Sequence, residues 1–180
     1  MIQIRNGIYE TNSSSSHAIV IRSQGERLTP EEIKDHVWLW RDGGLEIRDN
    51  WFGRSPFRIL RRVEEKAAYA IAYYSFCPEK RQEIIDMVIR NIPGCEKLDF
   101  PMRHYSIHSE DDAVDYGSVD HQSEGLLTNL VNKHGVSLEE FIFNPKYQVV
   151  IDGDEYNIFG DMINDGLIND EGIDDIIGAY

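Results

Sequence analysis

Four prolines limit this chain before any other feature does: Pro30 follows Thr29, Pro56 follows Ser55, Pro78 follows Cys77, and Pro93 precedes Gly94. Proline is accepted in the first turn of a helix and breaks one further in, so each marks where a helix starts or stops. Thr29-Pro30-Glu31-Glu32 is the fullest signal, with Thr29 placed to cap and Glu32 placed to complete a capping box. That helix is expected to run to about Trp40, with Gly43-Gly44 ending it and Leu45 to Arg48 forming a short strand. Ser55-Pro56 repeats the signal and predicts the longest helix, through Ile59, Leu60, Val63, Ala67, Ala70, Ile71 and Tyr74. Pro78 interrupts the pattern, and Glu79 to Ile92 reads as an amphipathic helix that Pro93-Gly94 stops.

The flanks read differently. Ile2 to Glu10 and His17 to Arg22 are β-rich, and the polar run between them predicts a hairpin with a long loop. His104 to His108 alternates like a strand, Glu110 to Asp115 reads as an acidic loop, and Glu124 to His134 as a helix ended by Gly135. Ser137 starts a short helix containing Phe141 and Phe143. Tyr147 to Ile151 and Glu155 to Phe159 are strands joined by the turn Asp152-Gly153-Asp154, and short helices or turns close the chain. The expectation is a single α+β domain over residues 1–180, a small antiparallel sheet packed by several helices.

Charge divides this domain. Up to Arg103 there are 15 acidic and 16 basic side chains; from His104 onward there are 17 acidic against only Lys133 and Lys146. The net charge of −14 therefore belongs to the second half. Such a surface repels phosphate backbones and attracts basic grooves, with on-rates that fall as salt rises, so direct nucleic-acid binding by this half is not expected. Asp111, Asp112, Asp115, Asp152, Asp154 and Glu155 are the residues expected to meet a basic partner. The plain alternative is a solvated acidic surface that only aids solubility.

No apolar run approaches the ~20 residues needed to span a bilayer, and the N-terminus lacks a basic segment followed by an apolar one, so a cytoplasmic protein is expected. Cys77 and Cys95 fit small buried hydrophobes in a reducing compartment better than a disulfide framework. No cofactor is expected, and self-association is left open.

Candidate chemistry rests on two short segments. Ser13, Ser14 and His17 lie within Glu10-Thr11-Asn12-Ser13-Ser14-Ser15-Ser16-His17, where a hydroxyl beside an imidazole suggests nucleophilic catalysis; a polar turn is the alternative. Asp120 and His121, in Asp120-His121-Gln122-Ser123, would complete a divalent-metal site if they met His17, or else form a loop whose Ser123 caps the next helix. Together these give an alternative function, a small metal-dependent or nucleophilic hydrolase. Asp152-Gly153-Asp154-Glu155 lacks the ligand spacing of a calcium loop and reads as a hairpin turn. Trp38, Trp40, Trp51, Phe52 and Phe57 cluster near six arginines, a composition for stacking on nucleic acid or, more simply, for a core beside a basic helix face.

The opening Arg5 to His17 resembles that of a group of proteins carried by phages and other mobile elements of gut bacteria, and the resemblance extends to Lys66-Ala67-Ala68-Tyr69, Asp120 to Ser123 and Phe141 to Asn144. It implies a setting in which small acidic proteins act as counter-defence factors. In size and acidity the chain is similar to type II anti-CRISPR proteins, which implies as partner a Cas nuclease or its guide-RNA complex, whose basic channels and PAM-reading arginines an acidic surface would occupy.

Overall fold

In the computed structural model the described residues are 16–48, 50–53, 57–104, 112–119, 125–152 and 173–178. The sheet is built around β1, Ser16–Arg22, whose Ile19, Val20 and Ile21 are β-branched and all buried. One of its edges is taken by β9, Tyr147–Asp152, and the other by β10, Ile173–Gly178, both antiparallel. A third antiparallel strand, β4, Arg58–Leu60, adds to the far side of β9, giving the order β10-β1-β9-β4. With both edges of β1 occupied, the hairpin expected between residues 2–10 and 17–22 is not the pairing β1 makes; residues 2–10 lie outside the described set.

Both faces of the sheet carry buried residues, which explains why β1 and β9 read as continuous apolar runs. Ile19, Ile21, Val149, Ile151, Leu60 and Ile177 face the main core, while Val20 and Val150 pack with Phe57, Ile59 and Ile173 on the opposite face. This alternation corrects the reading of residues 55–62. Ile59 and Leu60 were expected on one helical stripe, but they point to opposite faces of a strand. The helix α2 begins only at Val63 and runs to Tyr73, and its start is fixed by Glu65, whose carboxylate accepts the backbone N–H groups of Arg61 and Arg62 at 2.9 and 3.0 Å. Two apolar residues beside a true helix fit either period, so spacing alone could not separate them.

Helix α2 is the centre of the core, with Ala67, Ala68, Tyr69, Ala70 and Ile71 all buried. Lys66 is buried among them at 1% exposure, and its ammonium donates to the carbonyl oxygens of Asn144 (2.7 Å) and Tyr147 (3.1 Å). Around α2 pack α3, Pro78–Asn91, and α5, Leu138–Phe143, which starts on the Ser137 cap. Helix α4, Leu126–His134, lies between Gly125 and Gly135, both left-handed, and contacts β1 and β10.

Helix α1, Pro30–His36, carries the full capping box: Glu32 N–H donates to Thr29 Oγ1 at 3.3 Å and Thr29 N–H donates to Glu32 Oε2 at 2.8 Å. Thr29→Ala should therefore lower the unfolding free energy by about 1 kcal/mol in urea titration, and no change would mean that the cap is replaced by solvent. The helix stops four residues before the expected Trp40, because Val37 is already extended (φ −113°) and its N–H makes the last helical bond to Ile33. The chain then turns through Gly43 (φ +75°) into β2, Gly44–Glu46, parallel to β5, Lys97–Asp99.

Two more small pairs complete the described elements: β3, Trp51–Phe52, parallel to β8, Ser118–Val119, and β6, Met102–His104, antiparallel to β7, Asp112–Val114. The expected acidic loop over Glu110 to Asp115 is thus a strand across 112–114. Residues 173–178, in the stretch where short helices or turns were expected, form β10, and the strand expected over 155–159 lies outside the described residues. Cys95 is buried as anticipated, but Cys77 is exposed just before α3.

Candidate interaction surface

His17 sits on the core face of β1, 1% exposed, with Nδ1 3.0 Å from the hydroxyl of Tyr69 on α2. Tyr69 in turn packs edge-on against Phe52, their ring centres 5.1 Å apart. An imidazole held in this way belongs to the core rather than to an open catalytic cleft. Ser13, Ser14, Asp120 and His121, the rest of the expected hydrolytic or metal site, lie outside the described residues. Among the described residues no group of three His, Cys, Asp or Glu side chains is placed to hold a metal ion.

Asp115 is also drawn inward. It is 9% exposed; its Oδ2 accepts the indole N–H of Trp51 at 3.0 Å, its Oδ1 accepts the Gly117 N–H at 2.9 Å, and its carbonyl accepts from Asn50 Nδ2 at 2.5 Å. The placement of Asp115 on an exposed acidic surface is therefore corrected: it clamps the start of β3 to the approach of β8. Asp112 stands on β7 opposite His104, and Asp152 ends β9 opposite Ser16. Asp111, Asp154 and Glu155 lie outside the described residues. Asp174 and Asp175 are exposed on the edge strand β10, with Asp174 3.5 Å from Lys146 and Asp175 3.6 Å from His134. Charges on an edge strand also block pairing with another chain, which is their structural role whatever they bind.

The tryptophans depart furthest from expectation. Phe52 is fully buried, but Trp38, Trp40 and Trp51 are 77%, 49% and 52% exposed. Trp38 and Trp40, two residues apart in the segment that leaves α1, border two clefts that share Glu46, Ile47 and Arg48. The first, about 520 Å³, also takes in Arg62 and Glu64; the second, about 400 Å³, reaches Asp99 and Phe100. Arg48 pairs with Glu46 (2.9 Å) and Arg62 with Glu64, so the floor carries both signs of charge. Burial raises the Glu64 carboxyl above its ordinary range, against the pull of Arg62. Exposed indoles over paired charges have the composition of protein-binding surfaces, in which Trp and Arg are over-represented. The signal was present in the clustering of aromatics and arginines, but spacing could not say which side of the chain faced water.

No helix among the described residues is long and apolar enough to cross a membrane. No protein-family model matches the chain, and no curated protein or solved structure matches it either.

Proposed function

We propose that this chain is a non-enzymatic inhibitor that binds an RNA-guided Cas nuclease, or its guide-RNA complex, through acidic side chains of its C-terminal half and so hinders DNA binding or cleavage. The observation that carries the reading is the division of charge, 17 acidic against two basic residues from His104 onward. Effectors of that class hold their heteroduplex in a positively charged channel and read the PAM with arginines, so an acidic protein is their electrostatic complement. Asp174 and Asp175 are two of the described acids of that half, and an exposed ion pair such as Lys146–Asp174 contributes only about 0–1 kcal/mol, so it exchanges readily for a partner's cation. Trp38 and Trp40 supply apolar anchors of the type on which binding energy concentrates. The hydrolase alternative is weaker, because His17, the one member of its site among the described residues, is buried in the core.

Replacing Asp152, Asp154 and Glu155 together by lysine should weaken inhibition of a purified Cas nuclease by about tenfold or more and flatten the salt dependence of binding. Inhibition is read as DNA cleavage at low and high salt, with the unfolding midpoint checked in parallel. Undiminished inhibition by a stably folded triple variant would end this reading.

A further inference from the structure

We propose that a pocket at the start of α2 is a binding site for a small organic oxyanion, a carboxylate or phosphate monoester carried on a compact apolar body. The pocket is about 230 Å³, below the roughly 300–1,000 Å³ of sites for drug-sized ligands, so its ligand is small. Four of its lining residues are basic, namely His36, Arg61, Arg62 and Lys66, and the rest are apolar, including Leu28 and Ile142; among the described residues no carboxylate lines it. All four belong to the near-neutral first half of the chain, 16 basic against 15 acidic side chains, and not to the acidic second half. A concave wall of one sign over a poorly polarisable floor focuses the field, so the pocket attracts an anion despite the net charge of −14.

The rim and the floor divide the work. His36, Arg61 and Arg62 are exposed at the rim. Arg62 is partly neutralised by Glu64, but the Arg61 guanidinium has no ion pair among the described residues, since Glu65 takes only its backbone N–H. Guanidinium offers the planar donor fork that oxyanions fit. Beneath them Lys66 directs two of its N–H groups to the Asn144 and Tyr147 carbonyls and lies over the Phe141 ring, which leaves one N–H and most of an uncompensated charge under the pocket. The acids whose charge acts on it are Glu140 and Glu65, and Glu140 is already bonded to Asn144 Nδ2. A bound anion would supply the counter-charge that burial denies this ammonium, so binding and protonation of Lys66 are coupled. Burial holds the Lys66 amine down to about pKa 7, opposed by Glu140 and Glu65, which places the coupling near neutrality.

The test is ¹H–¹⁵N NMR titration of the full chain with benzoate, phenyl phosphate and inorganic phosphate, with ionic strength held constant by chloride. Saturable shifts should centre on Val63, Lys66 and Ile142, and one of the two aromatic probes should bind about fivefold or more tighter than inorganic phosphate. Affinity should fall by about fivefold or more between roughly pH 6.5 and 8.5 in the wild type and in H36Q, but not in K66M. R61Q, an exposed change that leaves the core untouched, should weaken binding severalfold. Shifts that do not saturate and spread over the surface would overturn the proposal. So would wild-type affinity in R61Q, or a pH-independent affinity in H36Q.

Discussion

Raising the pH from about 7 to about 9 should stabilise this protein by on the order of 2 kcal/mol, and Lys66→Met should abolish that rise. The cause is one buried amine whose pKa falls from 10.5 to about 7 on folding, chiefly through desolvation. Between those values the unfolded chain holds a proton that the folded chain has released, and stability rises with pH wherever the unfolded state binds more protons. Below about pH 7 both states are protonated and the folded one carries the full penalty of a buried charge. Each pH unit inside the window returns at most about 1.4 kcal/mol. The window closes from above, because burial raises the pKa of the Cys95 thiol and of the Tyr74 and Tyr147 hydroxyls, groups that the unfolded chain ionises first. Stability therefore turns down past about pH 9 to 10. Urea midpoints across pH 7 to 9 for wild type and K66M measure this directly, and a flat wild-type profile would show that Lys66 is solvated in solution. The methionine variant removes the ammonium from the Asn144 and Tyr147 carbonyls, of which Asn144 keeps the Tyr147 N–H at 3.2 Å, a loss of about 1–3 kcal/mol offset in part by removal of the charge. The pH slope is thus a cleaner readout than the stability itself.

Gly117→Ala should cost about 3 kcal/mol or more. Gly117 has φ +76°, where a side chain is already disfavoured by roughly 1–2 kcal/mol, and a Cβ there would overlap the carbonyl oxygen of Asn50. That obstacle is backbone, so no rotamer change relieves it. The same carbonyl accepts the Ser118 N–H at 3.1 Å, and Gly117 N–H donates to Asp115, so any shift that admits the methyl group opens the β3–β8 pairing and the Asp115 clamp together. Trp51 reports on the damage through its indole N–H bond to Asp115: the variant should unfold at lower urea and show altered Trp51 emission before global unfolding. An unchanged midpoint would mean that this junction contributes little.

What the sequence disclosed followed how local each signal is. The Thr29 and Ser137 caps, the breaks at Pro78 and Gly135, and the apolar run of β9 all rest on neighbours within four residues, and each matches the structure. The errors lie where the deciding partner is distant. Ile59 and Leu60 are a strand because β9 lies beside them, and residues 112–114 are a strand because β6 does. Asp115 reads as an acid in an acidic loop until Trp51, 64 residues away, turns it inward. Trp38 and Trp40 read as core until Val37 ends α1 and sends the chain across the surface. The α+β class with a small antiparallel sheet survived these errors, since it depends on how many elements of each kind there are rather than on where each one ends.

The position of β1 has a consequence for synthesis in the cell. Ile19 pairs with Val149 on one side and Ile177 on the other, so its neighbours leave the ribosome some 130 and 158 residues after it does. At roughly 5–20 residues per second, Ala18 to Ile21 waits on the order of ten seconds as an unpaired, β-branched apolar segment. During that interval it is open to capture by a chaperone or by a second nascent copy, and formation of this sheet becomes a late event in which β9 and β10 close around a strand made long before them.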